Sequence, residues 1–302
     1  MKSVMVRLRL LLPLLAVLLA FVAAGCGGSS GSSEPMELQS LVGVADRSTK
    51  ADTGRFEMVM RMSAPGLPGE FEIGASGAFD RLVERAQMTL DMSALVELIG
   101  SLGGKSTPDL GDPADWKLDV VQDGTVFYLR LPQFLAKQVP GGKTWVKGDV
   151  ATLTKTSGSL LGGSGFTGGD PRDVIRFLKA VAGDVQAVGR EDVRGVSTSH
   201  YRATLDMQKL LGLAAGSSKD SLVNIDSMVQ QAGVSSIPVD VWVDDESLLR
   251  RMEMTFAMSP AGAGGSANFS LSFDLFDYGK PLFIELPPAD QVADAATLQL
   301  GS

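Results

Sequence analysis

Apolar and polar side chains alternate with a period of two along much of this chain. Between residues 55 and 62, Phe56, Met58, Met60 and Met62 alternate with residues such as Glu57. Successive side chains of a β-strand point to opposite faces of the sheet, so this pattern predicts strands with one apolar and one polar face. Strands are predicted at 55–62, 70–79, 82–92, 115–122, 124–131, 143–147, 184–193, 196–206, 237–244, 247–258 and 267–278. The apolar face of so large a sheet has to be covered.

Short turns separate many of the predicted strands. Pro65–Gly69, Asp123-Gly124, Arg194-Gly195 and Asp244–Glu246 have turn composition, and Asp-Gly is a strong hairpin signal. Helical spacing predicts helices at 37–52, 94–102, 170–181, 207–214 and 219–232, while 151–166 is ambiguous between a weak helix and a loop. We therefore expect one α+β domain with a mostly antiparallel sheet of about 10–11 strands. A twisted sheet of that many strands tends to curl, and 94–102, 171–181 and 219–232 are candidates to cap its concave face.

The first 25 residues have the layout of a secretory signal. Lys2, Arg7 and Arg9 precede an apolar run of about 15 residues, which is short for a membrane-spanning helix of roughly 20. The order Ala23-Ala24-Gly25-Cys26 resembles the lipobox of bacterial lipoproteins, in which the cysteine is acylated and the signal is cleaved before it. We therefore expect 1–25 as the signal peptide, 26–36 as a Gly/Ser-rich tether that begins with lipidated Cys26, and 37–302 as a single domain.

Composition excludes several classes of function. The signal holds three of the 27 basic residues and no acidic one, so residues 26–302 carry 24 basic against 35 acidic residues and a net charge of −11. Nucleic acids reward clustered Lys and Arg, so no nucleic-acid partner is expected. Cys26 is the sole cysteine, so its acylation leaves no disulfide within the chain.

The sequence offers no recognisable catalytic or metal-binding set. His200 is the sole histidine and has the context of an ordinary strand residue, and Cys/His metal sites are excluded. The G-x-S-x-G pattern fails at Phe166 and the P-loop pattern fails at Lys137. Asp109, Asp112 and Asp115 lack the spacing of a calcium loop. We expect no catalytic residue, no metal and no cofactor, and we expect that the protein is not an enzyme.

Methionine is concentrated on the apolar parity of the predicted strands. An ordinary core with methionine as gap-filler explains this, as does a deformable lining for flexible apolar ligands. The candidate lining residues are Phe56, Met58, Met60, Met62, Phe71, Ile73, Met88, Leu90, Met252, Met254, Phe256, Met258, Phe269, Leu271 and Phe273.

Several local phrases resemble one family of exported proteins. Val239–Asp245 followed by Leu249–Met252 resembles a hairpin of the LolA-like lipoprotein carriers, and more closely that of the actinobacterial LppX/LprG-type lipoproteins. Phe276–Pro281 and Leu286–Asp290 resemble the C-terminal stretch of that family, and Gly195–Asp206 resembles one of its strands. These motifs are turns and strands, so they specify the fold better than the ligand. The long Gly-rich loop at 157–169 departs from the family pattern.

The resemblance, over roughly 50–292, implies a half-barrel sheet whose helices enclose an apolar cavity for the acyl chains of lipids or glycolipids. The expected function is binding these lipids and moving them within the cell envelope, on the outer face of the cell membrane. A membrane transporter or acceptor protein is then a further partner. The alternative is a non-catalytic interaction or sensor module with the same fold and no ligand cavity. A hydrolase is a distant third, because no nucleophile arrangement is recognisable.

Overall fold

A computed structural model gives the structure of residues 37–67, 69–102, 111–137, 139–149, 174–175, 177–214, 234–258 and 265–297. All of them belong to one compact unit, which extends from Ser33 to Ser302. The signal, the tether and the helix predicted at 219–232 lie outside the described residues, as does the ambiguous segment 151–166.

Twelve strands form a single sheet in the described part of the chain. They are β1 (Thr53–Ser63), β2 (Phe71–Asp80), β3 (Arg85–Asp91), β4 (Lys117–Asp123), β5 (Val126–Arg130), β6 (Trp145–Gly148), β7 (Val181–Val193), β8 (Val196–Asp206), β9 (Ser236–Asp244), β10 (Leu249–Met258), β11 (Ala267–Phe276) and β12 (Val292–Asp294). Their order across the sheet is β12-β6-β5-β4-β3-β2-β1-β11-β10-β9-β8-β7. Neighbours pair antiparallel except β12 and β6, which pair parallel.

Four α-helices with described bounds accompany this sheet: α1 (Leu38–Thr49), α2 (Ser93–Leu102), α3 (Gln133–Ala136) and α4 (Met207–Ala214). Val174 and Ile175 are also helical. A 3-10 turn, Phe177–Ala180, leads directly into β7. None of the described helices has the length and apolar character that crossing a membrane requires.

The predicted fold class is confirmed: the protein is α+β, with a large, open, curved and mainly antiparallel sheet of the half-barrel type. The sequence missed β12, which has only three residues and depends on a distant partner, β6. The strand predicted at 82–92 begins later, at Arg85. Residues 81–84 form a turn in which the Asp80 carboxylate accepts hydrogen bonds from the backbone N–H groups of Leu82 and Val83. The helix predicted at 170–181 ends earlier, since Val181 is already the first residue of β7.

One face of the sheet, called here the inner face, carries the core. Leu41 and Val44 of α1 and Val96 of α2 belong to the same buried cluster as Phe56 and Phe273 of the sheet. Two of the three predicted cap segments, 94–102 and 171–181, contribute residues to this cluster where they are described. The sequence did not predict α1 as a cap.

One hydrogen bond fixes the C-terminal end of α1 against the sheet. The hydroxyl of fully buried Ser48 accepts a hydrogen bond from the backbone N–H of Leu249 at 2.9 Å. The hydroxyl of Tyr278 donates to the carbonyl of the same Leu249 at 2.9 Å. Both backbone polar groups of this buried strand residue therefore have side-chain partners.

A glycine permits the close packing of β1, β2 and β3. Gly77 of β2 pairs with Phe56 on one side and Met88 on the other. A Cβ atom at Gly77 would lie 2.2 Å from the backbone oxygen of Gln87 and 2.7 Å from the Phe56 ring. The backbone oxygen has little room to move, so this position excludes any larger residue.

We predict that Gly77→Ala lowers the free energy of unfolding by about 1–3 kcal/mol, the usual cost of overpacking a core. The matched control is Gly74→Ala on the same strand, where a Cβ meets nothing within 4 Å. We expect the control to change stability by less than about 1 kcal/mol. Urea unfolding of both variants measures the difference, and equal stabilities of the two variants would contradict the packing argument.

Candidate functional site

Strand register brings the candidate lining residues together in rows across the inner face. Three rows run perpendicular to the strands. The deep row is Val241, Met252, Phe273, Met58, Ala75, Leu90 and Leu118; the middle row is Val239, Met254, Leu271, Met60 and Ile73; the rim row is Phe256, Phe269, Met62 and Phe71. Residues that the sequence places far apart thus become direct cross-strand neighbours.

Burial falls steadily from the deep row to the rim row. Every residue of the deep row is buried, from Met252 and Phe273 at 0% exposure to Leu90 at 9%. In the middle row Val239 and Met254 are buried, whereas the other members are half-buried. All four residues of the rim row are half-buried. The apolar face is therefore well covered toward Thr53 and partly accessible toward Ser63.

The chemistry of the three rows is uniform. Their side chains are hydrocarbon or thioether groups without an ionisable or strongly hydrogen-bonding atom. In the rim row the Phe256 and Phe269 rings stack with centroids 5.5 Å apart and an interplanar angle of 13°. Met62 pairs with Phe269 on the neighbouring strand, and a thioether adapts its shape at low energetic cost. Such a surface is apolar throughout and has no group that could transfer a proton.

Two of the candidate residues outside the three rows, Phe56 and Met88, also lie on this face. Phe56 and Met88 are buried in the same core cluster. Met258 pairs through its backbone with Ala267, and its side chain lies outside the described part of the structure. That these residues line a bound ligand stays a prediction.

The opposite face, called here the outer face, is polar but partly buried. Asp274 of β11, whose side chain is 9% exposed, accepts hydrogen bonds from Nε and Nη2 of Arg251 at 2.6 and 2.7 Å and from Nε of Arg194 at 3.1 Å. Arg194 also pairs with Glu57 of β1, and its guanidinium carbon lies 4.1 Å from the centroid of the Phe276 ring. We call Glu57, Arg194, Arg251 and Asp274 the outer clasp.

The outer clasp holds a hairpin turn against distant strands. Arg194 and Gly195 form the turn between β7 and β8 with φ of 52° and 78°, as expected of a two-residue hairpin turn with two left-handed positions. The side chain of Arg194 reaches β11 and β1, which β9 and β10 separate from β8. The sequence predicted this turn but not its contact, because nothing local to Arg194 specifies a partner on β11.

Charge pairing opposes burial at Asp274. Burial by itself raises the pKa of this carboxyl group, but the hydrogen bonds and positive charges of Arg251 and Arg194 outweigh burial, so the pKa lies below its usual value. The ionised form of Asp274 is therefore the one that stabilises the folded protein.

His200 belongs to a second polar group beside the outer clasp. Its Nδ1 lies 2.9 Å from Oε1 of Glu191 and its Nε2 lies 2.7 Å from Oδ1 of Asp240. The imidazole stacks on Trp242 at 4.2 Å, and the indole N–H donates to Oε2 of Glu191 at 3.1 Å. The hydrogen bond from Trp242 and, to a smaller extent, the hydrogen bond from His200 lower the pKa of Glu191. This buried histidine thus joins β7, β8 and β9 on the face away from the apolar rows.

Comparison with known proteins gives two relatives of partial length. The chain is 32% identical over 157 residues to an uncharacterized 31.2 kDa protein of the rplA–rplJ intergenic region of Streptomyces griseus, which covers 51% of this chain and 49% of that protein. It is 27% identical over 172 residues to a candidate lipoprotein of Streptomyces coelicolor, which covers 56% of this chain and 48% of that protein. The chain thus spans about half the length of the curated relatives it matches. No family model matches it.

Solved structures with similar folds include two mycobacterial proteins, of which LppX is a lipoprotein. LppX of Mycobacterium tuberculosis matches 82% of this chain and 97% of its own, with a TM-score of 0.44 and 14% identity. LprF of Mycobacterium bovis matches 85% of this chain and 99% of its own, with a TM-score of 0.42 and 15% identity. A LolA superfamily protein of Nitrosomonas europaea matches 83% of this chain and 96% of its own, with a TM-score of 0.28 and 10% identity. LppX and the LolA superfamily are also the names of the proteins that the sequence motifs resemble. These similarities concern the fold alone.

We predict that Asp274→Asn lowers the free energy of unfolding by about 2 kcal/mol at pH 7, because two charged donors lose their ionised acceptor. A carboxyl group with a lowered pKa in the folded state contributes stability above its unfolded pKa of about 3.9 and loses it as the pH falls further. The difference from the unsubstituted protein should therefore shrink at about pH 3, as measured by urea unfolding at both pH values.

Glu72→Gln is the control for this prediction. Glu72 pairs with Arg61 at 2.9 Å on the exposed part of the sheet, where the two side chains are 53% and 41% exposed. An exposed pair of this kind contributes less than about 1 kcal/mol. A loss as large for Glu72→Gln as for Asp274→Asn would show that burial of the outer clasp is not the source of its effect.

Proposed function

We propose that this protein is an exported, lipid-anchored lipoprotein that binds lipids or glycolipids by their acyl chains and moves them within the cell envelope. The ligand lies in an apolar cavity against the inner face of the sheet. The single observation that carries the proposal is the burial gradient over one uniformly apolar surface. The deep row fixes the end of a hydrocarbon chain in a covered site, and the half-buried rim row gives the chain a route to that site.

Acyl burial supplies enough free energy for such binding. At about 0.8 kcal/mol per CH₂ group, one chain of about 16 carbons gains roughly 12 kcal/mol before the costs of association. Methionine suits this ligand because a flexible thioether accommodates chains that differ in length and bend. The chemistry is binding and release, without a catalytic residue, metal or cofactor, so the protein acts as a carrier and not as an enzyme.

The domain organisation fits a carrier that works beside a membrane. Residues 1–25 are removed as a signal peptide, and Cys26 then carries a diacylglycerol and an amide-linked acyl chain such as palmitate. Two or more chains hold a protein stably on a bilayer. Residues 26–36 tether the single domain 37–302 to the outer face of the cell membrane. Release of a bound acyl chain into water is costly, so an acceptor membrane, a transporter or an acceptor protein has to receive it.

Extraction of the purified protein tests the proposal. The protein with Cys26→Ser, which lacks its own acyl groups, is extracted with organic solvent and the extract is examined by mass spectrometry. Co-purifying lipids and displacement of a fluorescent acyl probe support the carrier. If no lipid co-purifies and acyl probes fail to bind, the carrier proposal is wrong, and an interaction or sensor module with a filled core takes its place.

A pair of substitutions on adjacent residues of β1 locates the binding face. Met60 faces inward in the middle row, whereas its neighbour Val59 faces outward, and both are half-buried. We predict that Met60→Glu weakens binding of a fluorescent fatty acid at least about tenfold, because a carboxylate at the lining has to be desolvated. Val59→Glu should leave the affinity within about twofold, since it places the same charge on the other face.

Circular dichroism and urea unfolding of both β1 variants establish that they fold alike before probe affinities are compared. Equal affinities of folded Met60→Glu and Val59→Glu would exclude the inner face as the binding surface.

Removal of the anchor separates attachment from binding. We expect Cys26→Ser to release the protein from the membrane fraction, because the acyl chains are its attachment. Affinity of the domain for the acyl probe should not change. Fractionation followed by immunoblotting measures the first effect, and persistence of the variant in a membrane fraction washed with high salt would contradict the proposed anchor.

A further inference from the structure

Exposed large apolar side chains in the described part of the chain are Leu82, Val83, Val126, Val188, Phe283 and Leu286. Four of them, Leu82, Val83, Val126 and Phe283, belong to segments at one end of the sheet. Leu82 and Val83 are 68% and 54% exposed in the turn between β2 and β3, and Phe283, at 81%, follows β11. An exposed valine or leucine alone needs no explanation, but a group of them at one place does.

Backbone contacts show that the segments that carry these side chains meet. The N–H of Gly124, in the turn before Val126, donates to the carbonyl of Glu84 at 2.9 Å. Thr53 pairs with Asp80 just before the β2–β3 turn. The carbonyl of the same Thr53 accepts the N–H of Gly279 at 3.1 Å, and its hydroxyl donates to the carbonyl of Lys280 at 2.8 Å.

Phe283 is three residues beyond Lys280 and therefore within about 10 Å of it along the chain. We call Leu82, Val83, Val126 and Phe283 the hairpin-end patch.

The basic side chains around the hairpin-end patch are paired. Arg81 pairs with Asp52 at 2.5 Å, Arg85 with Asp123 at 2.8 Å, and Lys280 with Asp277 at 2.6 Å, while the carboxylates of Glu84 and Glu285 are exposed. Paired cations and two further carboxylates leave no positive field, so the patch does not select a polyanion. The partner that fits is an apolar phase with a polar boundary, in which long cationic side chains extend toward the headgroups.

The size of the hairpin-end patch favours a bilayer over a protein. A stable protein interface buries about 800 Å² on each partner, and four side chains on three separate segments do not supply that area. Insertion into a lipid interface needs no matching surface, because lipids rearrange around each side chain.

The tether keeps a bilayer within reach of the hairpin-end patch. Residues 26–36 span at most about 40 Å, which is close to the diameter of a domain of this size. We therefore infer that the hairpin-end patch inserts into the interface of the membrane that holds the Cys26 lipid anchor. This inference rests on the anchor of the proposed function.

Insertion of the patch also orients the apolar face. β1 runs from Thr53, at the patch, to Ser63, and its 11 residues extend over about 35 Å. The rim row lies toward the Ser63 end. The membrane-bound domain thus presents the accessible end of its apolar face away from the bilayer that anchors it.

Depth-dependent quenching tests the insertion. The lipidated protein is reconstituted into vesicles of phosphatidylcholine and phosphatidylglycerol, with or without phosphatidylcholine brominated on its acyl chains. Val83→Trp and Phe283→Trp place an indole in the patch. Val188→Trp on β7 is the matched control, because Val188 is 47% and Val83 54% exposed. The unsubstituted protein, with its three tryptophans, gives the background.

We expect the brominated lipid to quench the added emission of Val83→Trp and Phe283→Trp at least about threefold more than that of Val188→Trp, because interfacial side chains enter the acyl boundary. Equal quenching at the three positions, or none, overturns the inference. Sedimentation of the protein with the vesicles is measured in parallel. A protein that does not sediment overturns the anchor and this inference with it, whereas a sedimenting protein with an unquenched patch overturns this inference alone.

Discussion

The structure depends on the need to remove one continuous apolar face from water. Twelve strands in one sheet present more apolar surface than the sheet itself can cover, because every strand contributes alternate side chains to the same side. Curvature brings the two halves of the sheet toward each other, and α1, α2 and the segment before β7 cover part of the concave side. The coverage is complete at the deep row and incomplete at the rim row. The candidate binding surface is thus the part of the apolar face that the described helices leave partly exposed.

Ionic contacts, and not apolar burial, hold the outer face together. The turn between β7 and β8 lies against strands far from it in the sheet order, and the outer clasp holds it there. The charges are well paired, with the Asp274 carboxylate bonded to two guanidinium groups. A buried charge with such partners is tolerated, while a buried charge that loses one of them is costly. Apolar burial on one side and ionic contacts on the other therefore stabilise the same sheet.

Local patterns predicted most of this fold, and non-local contacts explain the rest. The alternation between Phe56 and Met62 and the Arg194-Gly195 turn depend on neighbouring residues, and both were confirmed. The sequence also predicted that residues such as Met254, Leu271 and Met60 share one face, because odd and even positions of a strand lie on opposite faces. It did not predict which of them are cross-strand neighbours. The sequence did not predict the contact of Arg194 with Asp274, since β9 and β10 separate the two residues and no local pattern specifies such a contact. β12 was missed for a similar reason, as three residues carry too little pattern. The decrease in burial from the deep row to the rim row could not be predicted from the sequence, because alternation does not indicate which other segments cover a strand.

The edge strand β7 has a consequence for a protein held on a surface. The proposed anchor would confine many copies to two dimensions, where an edge strand of 13 residues could pair with the sheet of the next copy. β7 interrupts that edge: its register against β8 shifts twice, Gly183 takes a φ of 75°, and Arg190, Glu191 and Asp192 place charges near its end. Such irregularities prevent a second strand from aligning over any useful length. Crowded copies of this domain can therefore remain separate.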